Sequence, residues 1–312
     1  MFSFLPGPIR GIIAFLLYTA NTIGGVFTMI PFVVLKVIIP HEETRHQLTR
    51  VITAIAWIWV NINSLILYAT QKIRFDVEGL EGYNPRSSYL IISNHRSWAD
   101  ILMLQHLWKH RVPFLKFFIK RELIWVPLLG IAWWALDFPF MKRYSKEFLK
   151  KHPELKGKDI ETTRRYCEKF KKSPVSVINF VEGTRFDESK RQNQESPYNH
   201  LLKPRPGGTA VVLSAMGKYL EAIIDVTIVY PENSAPLPFW DFLKGKISLV
   251  VLRARRLEIP SEFIGRSFDQ DPEFREQFKN WINALWEEKD RQIASILEKY
   301  KEETDDAPGC RS

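Results

Sequence analysis

The chain has 312 residues, 46% of them hydrophobic and 13% aromatic, and carries a formal net charge of +9. That apolar content supplies a sizeable core and excludes a disordered chain, and its two cysteines, Cys167 and Cys310, exclude a disulfide framework. A basic balance of this size suits an anionic partner; no segment reads as a nucleic-acid-binding module, so an anionic membrane surface or a phosphorylated substrate is expected instead, with no nucleic acid.

Residues 11–35 contain no charged side chain and lie between Arg10 and Lys36. The stretch is long enough to cross a hydrocarbon core of about 30 Å. No small-residue cleavage site follows it, so it reads as a retained anchor and not as a signal peptide. Gly24, Gly25 and Pro31 are places where it can kink. A polar loop over residues 40–50 leads to a second uncharged stretch, residues 51–71, which includes Asn61, Asn63 and Ser64. Two spanning helices or a re-entrant pair in one leaflet fit this pattern. Buried core helices are the plain alternative.

Beyond Lys72 the composition becomes that of an α/β domain. Strands are expected over residues 89–93, 114–119, 175–180, 222–230 and 247–253, with helices over 98–109, 159–171 and 208–216. This alternation predicts a mixed sheet covered by helices. His106 and His110 lie four apart, but no carboxylate or thiolate pattern joins them, so a surface or packing role is expected of them and no metal site. Residues 142–172 are dense in Lys and Arg, either a solvated helical face or a surface for anionic headgroups. Over residues 272–300 Phe274, Phe278, Ile282 and Leu285 share one helical face, with Trp281 beside them. Residues 305–312 read as a disordered tail.

Two segments carry chemistry. The first is Asn94-His95-Arg96-Ser97-Trp98-Ala99-Asp100, directly after the strand at 89–93. An imidazole takes a proton from a hydroxyl near neutral pH, and a carboxylate on its other nitrogen fixes the tautomer and steadies the imidazolium. His95 is thus a candidate general base and Asp100 its orienting partner. No nucleophile from the protein is needed when the hydroxyl belongs to the substrate. The plain alternative is a helix start with a satisfied loop histidine. The second segment, Asn179-Phe180-Val181-Glu182-Gly183-Thr184-Arg185-Phe186, follows another buried strand. Gly183 lets backbone approach a ligand closely, Arg185 offers a fork of donors suited to phosphate, and Glu182 accepts from substrate hydroxyls or holds Arg185. A turn with a surface ion pair is the plain alternative here.

Together the two segments resemble the lysophospholipid acyltransferases, the 1-acylglycerol-3-phosphate acyltransferase family, whose first motif is Asn-His-x-x-x-x-Asp and whose third is Phe-Pro-Glu-Gly-Thr-Arg. The wording is similar to that of the family's bacterial YihG-like branch. Lys120-Arg121-Glu122-Leu123 with Pro127 and Gly130, and Phe140-Met141-Lys142-Arg143, fall where the family has further motifs. Val181 stands in place of the usual proline, and residues 224–228 lack the proline of the fourth motif. The resemblance implies a glycerolipid-acyltransferase-like α/β fold in which residues 1–75 form anchoring helices, 76–260 the catalytic domain, and 261–312 an amphipathic helix and tail. It implies acyl transfer from acyl-CoA or acyl carrier protein to the sn-2 hydroxyl of a lysophospholipid, foremost lysophosphatidic acid. His95 and Asp100 would be catalytic. Lys120, Arg143, Glu182, Gly183, Thr184 and Arg185 would bind substrate, and backbone N–H groups near the strand end would stabilise the oxyanion. No cofactor beyond the thioester co-substrate is implied. The implied location is a bacterial inner membrane, with the catalytic domain facing the cytosol. A lysocardiolipin or lysophosphatidylinositol acceptor, a thioesterase, and a non-catalytic lipid-binding protein remain open.

Overall fold

The computed structural model describes residues 2, 4–141, 152, 158–171, 173–233, 237–268 and 270–305. Arg143, Cys310, residues 306–312 of the expected tail and most of the basic stretch at 142–157 lie outside them.

The two uncharged stretches form a helical hairpin. Helix α1, Gly7–Ile38, starts on Pro6 and Pro8, whose fixed φ suits a first turn, and ends where Pro40 holds Ile39 extended. Helix α2, Glu42–Thr70, is capped by His41 and opens on Glu42 and Glu43, which favour the positive end of the helix dipole. Asn21 donates across the hairpin to the Trp59 carbonyl at 3.0 Å and to Asn63 Oδ1 at 2.8 Å. By length and composition both helices can cross a membrane. Ile12, Phe15, Leu16, Phe27, Ile58 and Leu65 face outward on them. Lys36, near the end of α1, donates to the Ala135 carbonyl at 3.1 Å and pairs with Asp137 at 2.9 Å, which ties the hairpin to the domain.

The sheet contains β1 (Arg74–Glu78), β2 (Ser88–Ser93), β3 (Leu115–Phe117), β6 (Ser176–Phe180), β7 (Leu220–Val229) and β8 (Leu249–Leu257), in the order β1-β8-β7-β2-β6-β3. Every pairing is parallel except β7 with β8. Strand β1 was not among the expected strands, and it straddles the boundary expected at residue 75. The strand expected over 114–119 divides into β3 and a short β4, Ile119–Lys120, which pairs with β5, Phe140–Met141, in a separate two-stranded sheet.

Period-two alternation sends the residues of β2 to opposite faces. Tyr89 and Ile91 join a core with α1, α2 and α3 (Ala99–Trp108). Leu90 and Ile92 join a core that includes α5 (Lys158–Phe170), α7 (Gly207–Met216) and α9 (Pro272–Asp305). All four side chains are fully buried, as expected of a strand covered on both sides. Among the described residues the remaining α-helices are short: α4 (Leu129–Ala135), α6 (Glu188–Asn193) and α8 (Phe239–Leu243).

The buried face of α9 carries Phe274, Phe278, Ile282 and Trp286, with Leu285 and Trp281 only partly covered at its edge. One turn further, this apolar face bears a fully buried lysine. Lys289 uses its donors on Asp225 Oδ1 (2.7 Å), the Val226 carbonyl (2.8 Å) and Thr227 Oγ1 (3.0 Å), all on β7. Arg255 approaches the other oxygen of Asp225 at 3.0 Å. Burial holds the Lys289 ammonium below the usual lysine range, and Asp225 opposes that shift. Removing one partner of such a pair strands a buried charge, whereas replacing both does not. Asp225→Ala is therefore expected to lower stability by about 3–5 kcal/mol, and adding Lys289→Met to recover most of it. Thermal unfolding in detergent checks both; equal loss in the single and double variants contradicts this account.

Candidate active site

Strand β2 delivers the first chemical segment to the edge of a cavity. Asn94, fully buried, continues the ladder with its side chain: its Nδ2 donates to the Ile228 carbonyl and its Oδ1 accepts from the Ile228 N–H, both at 2.9 Å. The main chain is thus pinned to β7 one residue before His95. Asp100, in the first turn of α3, has no exposed side-chain surface. Its Oδ2 accepts from His95 Nδ1 (2.7 Å), the Arg96 N–H (2.7 Å) and the Ser97 N–H (3.0 Å), and its Oδ1 from the Tyr230 hydroxyl (2.6 Å). Burial and the neighbouring carboxylate push the Tyr230 phenol well above its ordinary range, so it remains a donor. A carboxylate only accepts, so Nδ1 of His95 carries the proton and Nε2 is left as the acceptor. The imidazole stacks on Phe180 with centroids 4.0 Å apart and planes 16° apart.

The second segment leaves the adjacent strand β6. Gly183 has φ of 71°, a left-handed conformation that suits glycine, and its N–H donates to the Phe180 carbonyl at 2.8 Å. This turn directs Glu182 inward. Its carboxyl is fully buried, with one oxygen on the His95 N–H at 3.0 Å and the other on the Leu202 N–H at 2.9 Å. Glu182, expected at the substrate, stands behind the cavity and holds the histidine loop. Burial pushes its carboxyl up to about 7, against the pull of the two N–H bonds and Arg96. Thr184 and Arg185 stay on the cavity side. Lys190 donates to Thr184 Oγ1 (3.3 Å) and the Arg185 carbonyl (3.0 Å), and the Arg185 guanidinium lies 4.8 Å from the centre of the Trp98 ring.

The cavity, about 290 Å³, brings together His95, Lys120, Gly183, Thr184 and Arg185. Phe117, Leu136 and Phe138 line it from the buried side, while Lys120 is exposed. A basic ring nitrogen and two cations thus share one space with apolar walls. His106 and His110 take packing roles away from it, His106 between Tyr68 and Phe75 and His110 against Trp57.

Distant supports complete the site. Arg96 stacks on Phe186 at 4.5 Å and donates to the His200 carbonyl at 3.0 Å. Asp290 of α9 accepts from the N–H groups of Asn199 (2.9 Å) and His200 (2.7 Å). Phe180 and Trp98 stand inside the segments that the sequence singles out. Tyr230 and Asp290 carry no local signal, because they arrive from 130 and 90 residues away.

The Acyltransferase family model matches residues 74–231. Lysocardiolipin acyltransferase 1 of Gallus gallus is 25% identical over 314 residues, covering 95% of this chain and 76% of that protein. The 1-acyl-sn-glycerol-3-phosphate acyltransferase epsilon of Mus musculus is 23% identical over 227 residues, and the chain matches only 59% of its length. Number 3 of Arabidopsis thaliana is 27% identical over 225 residues, with 53% of its length matched. In fold, the chain is similar to the crystal structure of the 1-acyl-sn-glycerophosphate acyltransferase PlsC from Thermotoga maritima, with a TM-score of 0.54, 16% identity, and 95% and 98% of the two chains covered.

The buried Glu182 carboxyl has a pH signature. Its folded value of about 7 lies above the ordinary 4.5, so between these values the folded chain holds more proton than the unfolded one. Stability is therefore expected to fall as pH rises from about 4.5 to about 7, by on the order of 3 kcal/mol, and then to level. In Glu182→Gln this fall should be absent while the chain remains less stable at pH 5. Unfolding midpoints across that range check it; the same slope in both proteins assigns the titration elsewhere.

Proposed function

The chain belongs to the acyltransferase family, and we propose that it transfers a fatty acyl group from a thioester to the sn-2 hydroxyl of a lysophospholipid, with lysophosphatidic acid as the acceptor and phosphatidic acid as the product. The observation that carries this reading is the His95–Asp100 pair, 2.7 Å apart, on a cavity that also holds Lys120 and Arg185.

The steps follow from the groups present. Nε2 of His95 takes the proton of the acceptor hydroxyl as its oxygen attacks the thioester carbonyl. Asp100 holds the ring and stabilises the imidazolium. The tetrahedral intermediate collapses with cleavage of the C–S bond, and the departing thiolate recovers the proton from His95. Arg185 and Lys120 hold the acceptor phosphate, Arg185 steadied by the face of Trp98. Arg143 is a third candidate cation. Gly183 and Thr184 shape the glycerol site, and Glu182 keeps the histidine loop in place from behind. The thioester is acyl-CoA or acyl carrier protein, and no other cofactor enters.

Placement follows from solubility. Drawing an acyl chain into water costs about 0.8 kcal/mol per CH₂, so the acceptor stays in the bilayer. The helical hairpin then anchors the enzyme in a bacterial inner membrane, with the cavity on the cytosolic side where thioester donors are found.

The test uses purified protein in liposomes with oleoyl-CoA and lysophosphatidic acid, beside monolysocardiolipin. His95→Ala is expected to lower kcat by about 10²–10⁴ while the protein still folds and stays with the vesicles. Substantial residual activity defeats the assignment, preference for monolysocardiolipin changes the acceptor, and free fatty acid without acceptor indicates a thioesterase. Arg185→Ala is expected to raise KM for lysophosphatidic acid about tenfold with less effect on kcat. Unaltered kinetics remove Arg185 from the phosphate site.

A further inference from the structure

One wall of the cavity has an outer side that the catalytic reading leaves unexplained. Residues 121–136 form a 3₁₀ turn, Arg121–Trp125, followed by α4. The two are folded tightly on each other at Gly130, where an added Cβ would stand 1.9 Å from the Ile124 carbonyl oxygen. On the inner side of this unit Leu123, Trp133 and Leu136 line the cavity. On the outer side Trp125 is 86% exposed, Trp134 46% and Ile131 45%. From Leu123 to Leu136 the segment is therefore apolar on both sides, with the exposed Arg121 and Glu122 at its start.

The outer patch is continuous with the anchor. Lys36 of α1 donates to the Ala135 carbonyl at the end of the segment, and its neighbours Val34, Leu35, Val37 and Ile38 are themselves exposed. At the start of the segment Lys120 and Arg121 are exposed, the placement that suits anionic headgroups above an apolar layer. Tryptophan favours that boundary, with its ring among acyl chains and its N–H near water.

We propose that residues 121–136 seat in the lipid leaflet as the membrane-facing wall of the cavity, with acyl chains passing between bilayer and cavity alongside this wall. The proposal rests on the membrane-bound reading above and adds a second contact to it, at the catalytic domain itself. A lysophospholipid then reaches His95 without its chain crossing water, and the exposed tryptophans lie where lipid covers them.

The test uses the full chain in vesicles of phosphatidylcholine and phosphatidylglycerol. Trp125→Cys, in a chain with Cys310→Ser, accepts an environment-sensitive fluorophore; Cys167 is buried. Lipids brominated along the acyl chain are expected to quench this label and its emission to shift to the blue, while the same label at exposed Glu273 on α9 stays aqueous. Trp125→Glu, at so exposed a position, is expected to fold and still float with vesicles. Its apparent KM for long-chain lysophosphatidic acid in vesicles should rise about fivefold, with no change for a short-chain, water-soluble acceptor. An aqueous label at 125 on protein that floats, or an unchanged KM, overturns the proposal, as does failure to float at all. Quenching requires no turnover, so a quenched label on a protein inactive with every acceptor upholds this surface and overturns the proposed reaction alone.

Discussion

A carboxylate with no access to water must find its donors within the protein, and Asp100 finds four. They come from His95, Arg96, Ser97 and Tyr230. Hydrogen bonds to a charged group contribute roughly 1.5–3 kcal/mol each, and a buried one left unmade costs at least as much. The chain from Asn94 to Asp100 therefore has little freedom. It must curl so that two successive N–H groups and an imidazole converge on one oxygen, while β7 brings a phenol to the other. The orientation of the His95 imidazole follows from this.

The rest of the domain keeps that curl in place. Asn94 locks it to β7, and Glu182 reaches across from β6 to hold the His95 N–H. Through Arg96, His200 and Asp290 the support continues to α9. The sheet gives these contacts a common frame. Because β2 is covered on both faces, the hairpin packs on one side and α9 on the other, with the histidine loop at the strand end between them.

What could be read from the sequence was local. The His95–Asp100 pair lies within one turn and its loop, so spacing reveals it. Strands β2 and β6 are continuous apolar runs, and helices α1 and α2 are too long and too uncharged to overlook. β1 was not legible because its charged, half-exposed residues give no apolar run. Lys289 reads as an interruption of an apolar face until Asp225 is seen opposite it. The direction of Glu182 depends on the left-handed turn at Gly183, and spacing carries no information about where a turn points a side chain. Tyr230 and Asp290 reach the site only through the topology of the sheet and the docking of α9.

The dependence on α9 also sets an order of events during synthesis. The hairpin and the histidine loop leave the ribosome well before Asp290 and Lys289, which follow them in the sequence. Until then His200 and Arg96 lack their anchor and Asp225 is without its lysine partner. The histidine loop thus leaves the ribosome before the supports that hold it, and its final ordering waits on α9.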